Sequence, residues 1–176
     1  MRMNKGYWVW GLFSSKENFF LNQIKAKVQN RLKSPFFETH ITLSGPYLNI
    51  DNSFINKLKT FAENNTAILL SFEKYNFKQE IFKSFYIQVK ESIGLKELRR
   101  NLYELNNFDE TDIYFPHISL SYGNHEIKEK KELISKLPEL NQSIKMSKIA
   151  LVEVDEAMNL WKILKTFDFN EFYKGV

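Results

Sequence analysis

Two short segments of this 176-residue chain repeat one pattern: His40-Ile41-Thr42-Leu43 and His117-Ile118-Ser119-Leu120 each read histidine, apolar residue, hydroxyl residue, leucine. On a β-strand, side chains two apart point to the same face, so each motif sets an imidazole beside a hydroxyl and sends Ile and Leu into the layer behind. Imidazole is the side chain whose ordinary pKa lies near neutrality. A facing pair suits in-line displacement at phosphorus: one ring takes a proton from the attacking water and the other gives one to the leaving oxygen, while the hydroxyls hold the non-bridging phosphoryl oxygens. A lone histidine on a strand is an ordinary structural residue. Here two of the three histidines carry a hydroxyl two places on and leucine three places on, a coincidence that points to function.

The elements that must position these motifs follow from hydrophobic periodicity. Residues 7–13 predict a buried strand, and Ser14 or Ser15 opens a helix in which Phe20, Leu21, Ile24, Val28 and Leu32 recur at helical spacing up to about Lys33. Pro35 ends it, residues 40–44 alternate as a half-buried strand, and Asp51 or Ser53 opens a helix carrying Phe54, Ile55, Leu58 and Phe61. Strands are predicted over 67–77 and 81–90, a helix over 94–106 with Leu95, Leu98, Leu102 and Leu105, a strand from His117, a helix over 126–137, and closing strands over 143–154 and 160–168. The order is a strand-helix-strand-helix-strand unit stated twice, the second starting near Glu80. The expectation is one α+β domain over 1–176, built of two pseudo-twofold units of about 1–78 and 79–176, with the histidine strands converging on a cleft between them.

Composition removes several classes. No Cys is present, which excludes disulfide scaffolds, thiolate nucleophiles and Cys-containing zinc sites. A net charge of +4 and pI of about 9.1 favour anionic ligands mildly. With 43% apolar residues the chain can build a core without staples. The opening Arg2 to Phe13 imitates a signal peptide but is aromatic and runs into Ser14-Ser15-Lys16-Glu17. No stretch approaches the roughly 18 apolar residues that cross a bilayer, so the expectation is a cytoplasmic monomer without membrane contact. Gly11, Gly45 and Gly123 match neither dinucleotide nor P-loop spacing.

Aromatic residues near the motifs are further candidates. Trp8, Trp10, Tyr7, Phe85 and Tyr86 could supply a wall on which a nucleobase stacks; strand alternation puts Trp8 and Trp10 on one face and Tyr7 and Val9 on the other. Trp10 and Phe85 are carried forward as substrate-binding candidates, Phe85 with core as the equal alternative. His125 reads as a surface residue ahead of a helix, and no carboxylate shares the motif spacing, so no metal and no cofactor is expected. Arg99, Arg100 and the lysines read as a soluble surface, as does Lys128 to Glu132, a mixed-sign helix face. Asp109, Glu110 and Asp112 read as turn and capping residues.

Two His-x-Thr/Ser-apolar strands in a chain of this size resemble the 2H phosphoesterase superfamily. The Trp8-Val9-Trp10 opening, Phe37 to Leu43 and Phe115 to Gly123 look most like its cyclic phosphodiesterase branch. That resemblance implies a bilobal α+β fold and metal-independent hydrolysis of a nucleoside or ribose cyclic phosphate to a monophosphate; members of the wider superfamily act on RNA ends and 2′-5′ linkages. It implies His40 and His117 as the acid–base pair, His117 the base and His40 the acid, with Thr42 and Ser119 as phosphate-binding hydroxyls. Tyr122 matches a tyrosine that lines the family's pocket. Strand alternation sets Tyr122 opposite His117, so that place requires a twist or bulge near Gly123. The partners implied are a small cyclic phosphate or an RNA end. The rival of another class is a non-catalytic nucleotide-binding module on the same scaffold.

Overall fold

The apolar patterns become the elements β1 (Gly6–Phe13), α1 (Ser15–Leu32), β2 (Ile41–Tyr47), α2 (Asn52–Asn64), β3 (Ile68–Phe77), β4 (Phe85–Val89), α3 (Ile93–Glu104), β5 (His117–Ser121), α4 (Ile127–Ile134), β6 (Ser143–Val154) and β7 (Lys162–Asp168). They are seen in a computed structural model that describes residues 6–105, 114–155 and 161–171; Asp109, Glu110 and Asp112 lie outside them. Asp51 is the cap of α2, accepting from Phe54 N at 2.7 Å, and Ser92 caps α3 through Leu95 N at 3.2 Å. The strand expected from residue 81 begins later. Ile81–Lys83 form a 3₁₀ turn, because the chain reverses there and Lys78 N and Lys83 N close the loop onto Lys83 O and Glu80 O.

All strand pairings are antiparallel except an isolated bridge between Thr66 and Asn170. The order β1-β2-β5-β4-β3-β6-β7 closes on itself through a further pairing of β1 with β6. β6 is long enough to serve several neighbours: Ser143 to Met146 pair with β3, and Met146 to Val154 pair with β1 on the other edge. The two sequence units therefore exchange strands, β3 joining β4 and β6 joining β1. The helices cross in the same way, α1 packing on β5 and α3 on β2. The result is a bilobal α+β fold in which neither unit completes its own sheet.

The sheet face under the helices carries Val9, Ile41, Ile87, Ile118 and Ile149, which meet Leu21, Ile24, Val28 and Leu32 of α1 and Leu95, Leu98 and Leu102 of α3 in one buried core. The opposite face of β1 and β6 holds a second cluster of Trp10, Leu12, Ala150, Val152 and Val154. Lys130 departs from the expected solvated face of α4. It is buried and donates to Lys78 O at 2.9 Å and Gln79 Oε1 at 3.2 Å, since the 78–83 reversal leaves carbonyls that no ladder satisfies. Among the described residues, no helix is long and apolar enough to cross a membrane.

Gly11 sits where β1 is hemmed in, opposite Ile41 of β2 and Ile149 of β6. A Cβ there would lie 2.1 Å from Met146 Sδ and 2.8 Å from Ile41 Cγ2. Gly11→Ala should cost about 1–3 kcal/mol by overpacking and lower the thermal midpoint by several degrees, read by circular dichroism. An unchanged midpoint would show that the packing beside Ile41 of β2 is slack.

Candidate active site

The strands that follow the two histidines meet at one point; the strand expected from residue 40 begins at Ile41, so His40 sits just ahead of β2 while His117 opens β5. β2 and β5 form an antiparallel bridge at Ile41 and Ile118, both fully buried in the core. Residues opposite each other share a face and their neighbours take the other. With the two isoleucines turned inward, His40, Thr42, His117 and Ser119 all face outward, His40 opposite Ser119 and Thr42 opposite His117. These four residues line a single cleft of about 450 Å³ with Trp8, Trp10, Phe82, Lys83, Arg99, Tyr114, Phe115, Tyr122 and Trp161.

Past the motifs, both strands carry the same irregularity. Val9 pairs with Ser44 and Trp10 with Thr42, so Leu43 is an extra residue in β2. Phe85 pairs with Ser121 and Tyr86 with Ser119, so Leu120 is an extra residue in β5. Such a bulge shifts the alternation by one. It turns Ser121 inward and brings Tyr122 to the cleft, where Tyr122 stacks on Phe37 with ring centroids 4.0 Å apart. Burial pushes the Tyr122 hydroxyl up to about 12, partly opposed by a hydrogen bond with Ser119.

The imidazoles are held alike. His40 Nδ1 lies 2.7 Å from Glu38 O and His117 Nδ1 lies 2.9 Å from Phe115 O. A carbonyl only accepts, so Nδ1 carries the hydrogen and Nε2 keeps the lone pair in the neutral ring. Trp10 stacks face to face on His40 at 3.6 Å and 6°; Tyr86 meets His117 edge-on at 5.4 Å. Burial lowers the His40 pKa to about 3, with the Lys25 and His117 charges acting in the same direction and the Glu38 carbonyl against them. Burial also lowers His117, helped by Lys83 and Lys78 and opposed by the Phe115 carbonyl and Glu80. Burial thus favours the neutral form of both rings.

Two sequence expectations need correction. Phe85 is fully buried in the main core and does not line the cleft; its pairing with the inward Ser121 fixes that side. Arg99 is not surface. It is buried, lines the cleft, donates Nε–H to Leu43 O at 2.8 Å and lies 3.5 Å from the Tyr114 ring. Its place four residues after Leu95 and three before Leu102, on the apolar stripe of α3, was the available signal. Trp10 lines the cleft with one face covered by His40, and Tyr7 packs against the core. His125 stands in the loop before α4 as a half-buried residue, Nε2 within 3.1 Å of Tyr122 O and 3.3 Å of Ser121 Oγ, and does not line the cleft. Phe82, Lys83 and Trp161 line it without having been singled out; nothing in their spacing marks them. Among the described residues no three His, Cys, Asp or Glu side chains gather as a ligand set, and none lining the cleft is a carboxylate.

A profile of the 2′-5′ RNA ligase superfamily matches residues 14–157. Similar solved structures include E. coli LigT in apo form (TM-score 0.65, 15% identity, 95% of this chain and 98% of that one) and E. coli LigT complexed with 3′-AMP (0.64, 13%, 96% and 100%). TT0787 of Thermus thermophilus is similar to the same degree (0.63, 13%, 98% and 100%). No curated protein sequence matches significantly. At such identities the structural likeness speaks for the fold, which is that of the 2H phosphoesterases. With the profile spanning most of its length, the chain belongs to the 2′-5′ RNA ligase superfamily, a family of phosphoesterases and ligases.

A depressed histidine makes stability depend on pH with a fixed sign. Between the ordinary value of 6.5 and about 3, the unfolded chain binds a proton at residue 40 that the folded chain does not, so stability falls as pH falls. In His40→Asn that contribution is gone, and urea titrations from pH 7 to 4 should show a loss shallower by up to about 1 kcal/mol per pH unit. Parallel losses in the two proteins would mean that His40 is not held neutral by burial.

Proposed function

We propose that the protein hydrolyses a nucleoside or ribose cyclic phosphate, 2′,3′-cyclic or ADP-ribose 1″,2″-cyclic, to a monophosphate by metal-independent acid–base catalysis. The observation that carries this reading is the matched setting of His40 and His117: each ring is tied through Nδ1 to a carbonyl two residues before it and faces a hydroxyl of the other motif across the Ile41–Ile118 bridge. In the reaction a water oxygen bonds to phosphorus and its proton passes to one imidazole Nε2. One ring P–O bond breaks, and the departing oxygen takes a proton from the other imidazole. Thr42 and Ser119 donate to the non-bridging oxygens. Tyr122 walls the pocket, backed by the buried Phe37 ring, and Trp10 holds His40 by its covered face. His117 as base and His40 as acid is the assignment the family resemblance implies. The protein is read as a monomer acting in the cytoplasm.

A second reading, an RNA-end enzyme acting on 2′-5′ linkages or cyclic-phosphate termini, is favoured by Lys83 and Arg99 in a cleft with no carboxylate among its described lining residues. LigT, a protein of this fold, is complexed with 3′-AMP in one structure and with ATP in another, which supports a nucleotide-sized ligand under either reading.

The test is a panel of 2′,3′-cyclic mononucleotides, ADP-ribose cyclic phosphate and cyclic-phosphate-ended RNA, with and without chelator, followed by phosphorus NMR. Turnover should be insensitive to chelator, and His40→Ala or His117→Ala should each lower kcat/KM by at least about 10²-fold. Because burial depresses both imidazoles in the free enzyme, the singly protonated pair becomes a shrinking minority above the ordinary imidazole range and kcat/KM should fall as pH rises through neutrality. The bound phosphate draws both values up, so kcat should persist to higher pH. Activity surviving the double His substitution would remove the reading, and tight binding of every panel member with no turnover at any pH would leave a binding module.

A further inference from the structure

His40 does not stand on a strand. Residues 34–40 run from α1 to β2 outside any helix or sheet, so no ladder fixes the Glu38 carbonyl that receives His40 Nδ1–H. The other imidazole is better supported: His117 opens β5, pairs with Gln88 of β4, and the carbonyl of Pro116 before it accepts from Val89 N at 3.0 Å.

What holds the His40 segment is a lysine of α1. Lys25 is 2% exposed; its Nζ donates to Phe37 O, reaches Thr39 Oγ1 at 3.4 Å and lies 3.6 Å from the Phe37 ring centre. Thr39 Oγ1 donates in turn to Asn22 Oδ1 at 2.8 Å, so two residues of α1 hold the segment on both sides of Glu38, at the Phe37 carbonyl and at the Thr39 hydroxyl. Lys25 follows Leu21 by four and precedes Val28 by three on the buried stripe of the helix, where an apolar residue would avoid the cost of desolvating an ammonium. Burial lowers the Lys25 pKa to about 8, opposed by the Glu38 carboxylate, and leaves it mainly charged at pH 7.

We infer that Lys25 is a positioning residue for His40: through the Phe37-Glu38-Thr39 backbone it fixes the carbonyl that selects the Nδ1–H tautomer, and it sets a positive charge behind the ring. The inference rests on reading His40 as one of the two acid–base groups. The charged and titratable groups facing this corner are the Glu38 carboxylate at Lys25, and Lys25 and His117 at His40; Trp10 and Phe37 supply the apolar remainder.

The experiment compares Lys25→Met, Lys25→Gln and Lys25→Arg with the wild-type chain, each checked for folding by circular dichroism. Long-range ¹H–¹⁵N NMR reads tautomer and titration of His40 and His117 without substrate; kinetics then use the panel member the wild type turns over. Removing the like charge should raise the His40 titration midpoint by roughly one unit and let an Nε2–H signal appear in the Met and Gln variants, while His117 stays put. In those variants kcat should fall about tenfold or more with KM within about twofold, the kcat/KM profile should move to higher pH, and Arg should restore most of the rate. A merely structural lysine would lower the melting point and leave the His40 titration where it is; that result in a folded Met or Gln variant overturns the inference. Full turnover by His40→Ala would sink the catalytic reading instead, and the NMR arm would still decide whether Lys25 sets the ring's tautomer.

Discussion

Everything at the cleft depends on the bridge between Ile41 and Ile118. It is the point where the two motif segments touch, and because both isoleucines are committed to the core, alternation about them leaves four polar side chains nowhere to go but the cleft. The bulges at Leu43 and Leu120 then set the facing of the residues after each motif. They hand two further leucines to the core, and in β5 they turn Tyr122 outward. Trp10 and Tyr86 take equivalent places as partners of Thr42 and Ser119, each with its ring against the histidine of the neighbouring strand.

Burial sets the chemistry of that quartet. Imidazoles removed from water give up their protons, yet the walls around them carry positive charge: Lys25 behind His40, Lys83 and Lys78 toward His117, and Arg99 over Tyr114. Positive charge beside neutral imidazole raises the energy of imidazolium in the empty cleft and is relieved when an anion enters. A phosphate diester would be attracted by the cations and would restore a proton to the pair as it binds, so binding and activation would draw on one electrostatic field.

The fold and the motif pairs were legible because they rest on local rules. Alternation over 40–44 and the apolar stripes of the helices encode element type, and the repeated order of elements encodes the twofold. The rest was hidden by what local rules leave out. The exchange of β3 and β6 between units is a long-range pairing that no periodicity records. Phe85 could not be assigned because its side follows from a bulge in the partner strand, not from its own segment. Lys25, Arg99 and Lys130 looked like solvated charges, yet all three occupy stripe positions and donate to backbone carbonyls that irregular segments or a bulge leave exposed. A cation placed on an apolar helical stripe was the common signal, and it pointed to irregular backbone beside the cleft.

Under the proposed function a symmetric scaffold would still have to run an asymmetric reaction, since opening a cyclic phosphate would need one imidazole with a proton and one without. The two sites differ in depth and in aromatic contact. His40 is the more enclosed, with an indole face 3.6 Å away; His117 is half-buried, with a tyrosine edge and two lysines. In the empty cleft these settings oppose a proton on His40, while the assignment implied by the family resemblance needs His40 as the acid. The two fit together if the proton arrives with the phosphate. An indole face favours a cation over a neutral ring, and this gain becomes available once the anion offsets the cost of enclosure. An imidazolium formed in so unfavourable a place is a strong acid, suited to protonating an alkoxide leaving group. The same enclosure that keeps His40 neutral at rest would then drive its proton onto the departing oxygen.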